Sequence, residues 1–283
     1  MRWLLGLTIV VALGCSRKAE DPPAPPPPPG KTLRVVSLTP SATEVMAALG
    51  ATSMLVGVDE YSEYPAEVQQ LPKVGSFLTP NLEVIIKLDP SLVIVDDIHT
   101  SSAGALKDSG VATVECAMHS LPDVKSALGV VGARIGKTAE AQAVAAQIDQ
   151  AIADAIATRP TKRPRVLAII DREAGGLGNL VAAGTGSYVD ELLALVGGEN
   201  VLAGAGVRYP KLSMEEVLRA APDVILDLSF AARGDKGLDP WKVVDVPAAK
   251  TGRVIVLAEP FLIAPSPRVG AALGVLAKAI ATP

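Results

Sequence analysis

The chain has 283 residues, 49% hydrophobic and 20% charged, with a formal net charge of -4. That length suits one large or two medium α/β units and is too great for a small single-core domain, and the apolar share is ample for the cores. The acidic balance leaves no basic stripe, which argues against nucleic acid as a partner.

Met1-Arg2 gives a short basic start and Trp3 to Leu13 an almost unbroken apolar run, followed by Gly14-Cys15. The run is too short to span a bilayer of ~30 Å, so the order reads as a secretory signal peptide over 1–14, with Cys15 the expected lipidation site. A signal peptide that merely happens to contain a cysteine is the plainer alternative. The next segment, 15–31, carries Pro25 to Pro29 and cannot form helix or central strand, because proline lacks the N–H and fixes φ. It is expected to be an extended tether, holding the folded part roughly 40 Å from its anchor. With Cys15 acylated, Cys116 is a single thiol that staples nothing and reads as buried.

From residue 32 onward, short β-branched runs alternate with helical periodicities, the sequence form of an α/β fold. Leu33 to Leu38 reads as the first strand, and Ser41-Ala42-Thr43-Glu44 has the spacing of a capping box ahead of a helix stopped at Gly50. Further strands are expected over Leu55 to Val58, Leu92 to Val95 and Ala112 to Cys116. These elements form an N-terminal lobe over 32–132. The Ala-rich stretch 133–158 predicts one long helix of about 35 Å at 1.5 Å per residue. A second lobe, 159–283, opens on Arg165 to Ile170 much as the first opens on Arg34-Val35-Val36, and Ser187 is placed to cap a helix ended by Gly197-Gly198.

A sharper repeat lies inside the lobes. Phe77, Glu83, Pro90 and Val93-Ile94 recur as Tyr209, Glu215, Pro222 and Ile225-Leu226 at the same spacing from aromatic to glutamate to proline. Each copy reads as a loop aromatic, a helix starting at the glutamate and stopping before the proline, then a buried strand. Two such lobes about one rigid helix enclose one cleft, and clefts between domains are favoured ligand sites. In a chain with 3% aromatic residues, matched rings could grip a flat, partly apolar ligand, or else cover the ends of their own cores. Glu83 and Glu215 gain ~0.3–1 kcal/mol from the helix dipole, a sufficient structural reason for both; docking a basic partner at two points is the functional one.

Other chemistry is weaker. His99 and His119 are the chain's 2 histidines, too few for a His-rich metal site, and no Cys, Asp or Glu stands at metal-site spacing around either. Both read as ordinary surface or loop residues, although His99, just past a strand end, could face the cleft. Gly175-Gly176-Leu177-Gly178 and Gly184-Thr185-Gly186 lack the dinucleotide fingerprint and the phosphate-loop lysine. A hydrolase would need a nucleophile with its base, and no G-x-S-x-G elbow occurs.

Arg34 to Glu44, Val56-Gly57-Val58, Tyr61 to Pro65, Val74 to Phe77, Asn81-Leu82-Glu83, Gly197 to Asn200, Tyr209-Pro210 and Ser266-Pro267-Arg268 together resemble the helical-backbone substrate-binding proteins of ABC importers. The match spans the whole expected mature domain and is most similar to the vitamin B12 receptors of that class. The resemblance implies two Rossmann-like α/β lobes joined by a single long backbone helix, little opening or closing on binding, and no enzyme activity, cofactor or metal. It implies that Glu83 and Glu215 dock arginines of a permease in a permease and ATPase complex. It places Tyr61, Phe77, Tyr209 and Phe261 in the ligand cleft, the last three where the B12 receptors carry tryptophans. The ligand implied is cobalamin, with ferric siderophores or haem as the alternative. The protein is expected to be a monomer, lipid-anchored outside the cytoplasmic membrane.

Overall fold

The computed structural model describes residues 33–204, 206–232, 238–257 and 259–281. The expected signal peptide, Cys15 and the proline tether lie outside these. Among the described residues no helix is long and apolar enough to cross a membrane.

In the N-terminal half, β1 (Val35–Ser37), β2 (Leu55–Val58), β3 (Leu92–Val95) and β4 (Thr113–Glu115) form a parallel sheet in the order β2-β1-β3-β4. Val35 lies between Leu55 and Leu92, and β3 is buried at every position, as expected of a parallel strand covered on both faces. Helices α1 (Pro40–Ala48), α2 (Leu82–Lys87), α3 (Thr100–Asp108) and α4 (Leu121–Ile135) complete this lobe. The capping box expected at Ser41 to Glu44 does not form. Thr39 caps α1 by accepting from the Ala42 N–H, and Pro40 takes the first turn, where its missing N–H loses nothing. Glu44 is thereby released for a distant partner.

The long helix is shorter than the stretch 133–158 predicts. Residues 133–135 finish α4, the chain turns at Gly136 in the left-handed region (φ 74°), and α5 runs Thr138–Ala157. Its 20 residues span about 30 Å at 1.5 Å per residue. Ala141, Ile148 and Ala155, seven residues apart, point into the core, and α5 packs on α4 and on two helices of the second lobe. A Cβ at Gly132 would stand 2.7 Å from that of Ala141, so glycine is what lets α4 and α5 approach.

The second lobe holds β5 (Arg165–Asp171), β6 (Leu180–Ala182), β7 (Glu199–Asn200), β8 (Lys211–Leu212), β9 (Val224–Asp227) and β10 (Val254–Val256). β10, β9, β5 and β7 run parallel, and β6 and β8 extend the sheet antiparallel from β5. Its helices are α6 (Tyr188–Val196), capped by Ser187 and closed by Gly197, with α7 (Met214–Ala220), α8 (Pro247–Lys250) and α9 (Val269–Ala281). α6 and α9 are the two that meet α5, and one apolar core runs from Val35 and Val45 through Leu128 and Ile148 to Leu192 and Leu273.

The internal repeat is written in hydrogen bonds as well as residues. Arg34 Nη2 donates to the Leu88 carbonyl (2.6 Å) and Arg165 Nη2 to the Ala220 carbonyl (2.8 Å), so each arginine closes the end of its α2 or α7 helix. The Arg34 N–H donates to Ser91 Oγ (2.9 Å) and the Arg165 N–H to Asp223 Oδ2 (3.0 Å). Just before each proline the chain leaves the helix through a left-handed residue, Asp89 (φ 47°) and Ala221 (φ 42°), because the right-handed conformation is disfavoured ahead of Pro90 and Pro222.

Candidate ligand-binding site

In parallel α/β sheets the loops beyond the carboxyl ends of the strands are where ligands bind. Among the described residues two polar contacts bridge the two lobes. On one side Arg268 meets Glu44 with both guanidinium arms, Nε to Oε2 at 2.8 Å, while its plane lies 4.1 Å from the Tyr64 ring centre and 4.4 Å from that of Phe261. A charged, stacked and half-buried guanidinium is the group best suited to such a junction. On the other side Glu191 of α6 accepts the free Leu121 N–H at the start of α4 (2.7 Å).

The loop after β2 carries Tyr61, 64% exposed, on a buried base. Asp59 accepts from the Tyr61 N–H (2.9 Å) and from the Ser62 hydroxyl, which also meets Thr43 (2.7 Å), and Lys73 donates to the Ser62 carbonyl (2.8 Å). Burial raises the Asp59 carboxyl above the usual carboxylate range, against these hydrogen bonds. The network holds the loop, and so the ring, in one place.

Phe77 is held by His99. The imidazole accepts the Asp96 N–H at Nδ1 (2.9 Å), so the proton sits on Nε2, which donates to the Phe77 carbonyl (2.6 Å), and the two rings meet edge to face at 5.5 Å. His99 stands in the turn after β3 but is not a surface residue: it is buried, and both its nitrogens serve structure. On the opposite lobe Tyr209 remains 43% exposed, in the field of Arg208 and Glu191, and partial burial raises its phenol pKa. Phe261 is half-buried against the common core and shares a face with Arg268. Beside it a carboxylate oxygen of Glu259 is buried with no hydrogen-bond partner among the described residues.

His119, around which the sequence places no acidic residue at metal-site spacing, meets two carboxylates that the fold brings to it. Its Nε2 lies 2.9 Å from Asp97 Oδ1 and 3.5 Å from Asp96 Oδ1, brought together by the adjacent ends of β3 and β4. One ligand atom from each of the three falls within 4.8 Å of the others, so these residues have the chemistry to meet a cation or a hydrogen-bond donor. Burial and the neighbouring Asp97 push the Asp96 carboxyl up to about 6, while Asp97 itself is lowered. Cys116 stands close by, buried, its thiol pushed up to about 12 by burial and by Asp96, and is inert.

In the second lobe the same strand edge is neutralised. Asp227 at the end of β9 receives Arg172 Nε (2.7 Å), the Trp241 indole N–H (2.8 Å) and the Ser229 hydroxyl (2.6 Å), with the ion pair wholly buried. Arg172 also donates to the Gly176 carbonyl (2.8 Å), so the glycine-rich turn serves to satisfy an arginine. Neither this pair nor the Glu44–Arg268 bridge was visible as a motif, because the partners stand 55 and 224 residues apart.

Glu83 and Glu215 sit at equivalent exposed places in the first turns of α2 and α7. Glu215 accepts from Arg219 one turn on (2.8 Å), an exposed pair of little energetic weight.

The family described as periplasmic binding protein matches residues 35–260. The chain belongs to the periplasmic binding protein family. Among its relatives, a cobalamin-binding protein of Halobacterium salinarum is 29% identical over 250 residues, covering 83% of this chain and 66% of that one. The chain thus spans just under two thirds of that relative's length. Two solved structures share the fold of this periplasmic binding protein. The apo periplasmic heme-binding protein RhuT from Roseiflexus sp. RS-1 aligns at a TM-score of 0.76 and 32% identity, covering 88% of this chain and 98% of that one. The periplasmic vitamin B12 binding protein BtuF of Vibrio cholerae aligns at 0.74 and 26%, covering 88% and 96%. The two α/β lobes and single connecting helix are those the sequence implied.

Proposed function

We propose that this periplasmic binding protein is the substrate-binding receptor of an ABC importer, holding cobalamin between its lobes and handing it to a permease and ATPase complex, with no catalysis of its own. The observation that carries the reading is the matched pair Phe77 and Tyr209, one exposed or half-exposed ring from each lobe in loops that lead into equivalent helices. Tyr61 and Phe261 extend the apolar surface, and rings of this kind grip a flat macrocycle through its faces. Glu83 and Glu215, exposed on the following helices, are the docking carboxylates for arginines on the permease. Cys15 carries the lipid, the tether 15–31 lets the lobes 32–132 and 159–283 reach the permease, and the receptor acts as an extracytoplasmic monomer.

Haem is the second reading, favoured by the 32% identity to a heme-binding protein, with ferric siderophores in the same class of bulky chelates. Calorimetric titration of the purified chain with cyanocobalamin, haemin and a ferric siderophore tests all of these. Saturable one-to-one binding of cyanocobalamin is expected; one-to-one binding of haemin or the siderophore alone selects the second reading, and heat from none of the three contradicts the receptor.

A further inference from the structure

The correspondence between the lobes continues beyond Phe77 and Tyr209. β3 and β9 are interior strands of their sheets, each buried at all four positions. The third residue past each strand is a large apolar side chain turned to solvent: Ile98, 49% exposed, and Phe230, 57% exposed. Each stands in a single 3-10 turn, Asp97–His99 in one lobe and Phe230–Ala232 in the other. A lone exposed apolar residue needs no explanation, but the same choice at the same distance from matched strands does.

Both residues are held on prepared backbone. The Ile98 N–H donates to Asp96 Oδ1 (3.4 Å), and the next residue, His99, is bonded to the Phe77 carbonyl, so Ile98 and Phe77 belong to one hydrogen-bonded unit. In the second lobe the Ser229 N–H donates to Asp227 Oδ1 (3.3 Å), and Asp227 is fixed by Arg172 and Trp241, which sets the position where Phe230 begins. These turns lie at the carboxyl ends of the strands, the edge on which an α/β sheet meets its ligand. We infer that Ile98 and Phe230 form a second apolar pair in the cleft, gripping the same ligand as Phe77 and Tyr209. A sugar or amino acid would leave these apolar surfaces wet. This inference rests on the receptor reading proposed above.

The test compares wild type, Ile98→Ala, Phe230→Ala and the control Val243→Ala, whose 87% exposed side chain lies outside the repeat. Each is titrated with cyanocobalamin and with haemin, and its melting temperature is checked to show that the fold is retained. Phe230→Ala is expected to weaken whichever macrocycle wild type binds by roughly 10-fold or more, and Ile98→Ala by roughly 5-fold, from the lost apolar burial. The control should bind like wild type. Tight binding to wild type with unchanged affinity in both cleft variants overturns the second pair alone. Binding of neither macrocycle to wild type overturns the receptor reading for these ligands, and the pair with it.

Discussion

Each lobe carries a buried aspartate at the carboxyl end of a central strand, Asp96 just past β3 and Asp227 closing β9, and the two are treated in opposite ways. Asp227, the last residue of β9, is wholly buried against Arg172, Trp241 and Ser229, every lone pair directed at a donor. Asp96 beyond β3 is equally hidden, yet its neighbours are another carboxylate, Asp97, and the half-exposed His119. A buried carboxylate met by a guanidinium is a structural part, whereas one met by a carboxylate and an imidazole retains protons that it can gain or lose. The end of β9 is thus neutralised by a fixed ion pair, and the end of β3 keeps titratable groups.

The largest difference between the lobes is expected at Arg172. Arg172→Met leaves Asp227 buried without its counter-charge and is expected to lower stability by about 3–5 kcal/mol, measured by urea unfolding. A loss below about 1 kcal/mol would mean that the second lobe does not depend on this pair.

Asp96→Asn should act in the other direction and more weakly. The native carboxyl, held at about 6, lies above its unfolded value near 3.9, so the folded state keeps a proton that the unfolded chain has already released. The Asp96 contribution to stability therefore falls as pH rises from about 4 through 6, and the amide variant lacks this contribution. Asp96→Asn is expected to be more stable than wild type by about 1 kcal/mol at pH 7 and equal to it near pH 4, read from melting curves across that range. Equal stability of the two proteins at both pH values would place the proton elsewhere.

The smallest effect sharpens the distinction between cleft and surface. Glu83→Lys with Glu215→Lys should leave ligand affinity within about two-fold, since both side chains are exposed and Glu215 loses only a surface pair with Arg219, while uptake in cells is abolished. A large loss of affinity would move these carboxylates into the cleft.

Legibility in the sequence tracks the range of the interactions. β2 and β3, the Ser187 cap and the glutamates in the first turns of α2 and α7 are local patterns, and each stands where its neighbours in sequence indicated. The repeat was legible because matched spacing over short segments survives in one chain. The start of α5 was misplaced because residues 133–135 are as helical in composition as α5 itself, and the left-handed turn at Gly136 carries the boundary. Glu44 has the spacing of a cap in sequence because its bond to Arg268 crosses 224 positions, and the burial of His99 is hidden because Phe77, its partner, lies 22 residues back. Long-range polar pairs leave no periodicity, so the bridges that join the lobes were the least visible part of the site.

In the proposed receptor one ligand is held by both lobes at once. Calorimetric titration of cyanocobalamin into wild type, Phe77→Ala and Tyr209→Ala tests it directly. One site per chain is expected, with a loss of about 10-fold or more from either substitution. Loss from one substitution with full affinity in the other would contradict it, since the ligand would then rest on a single lobe.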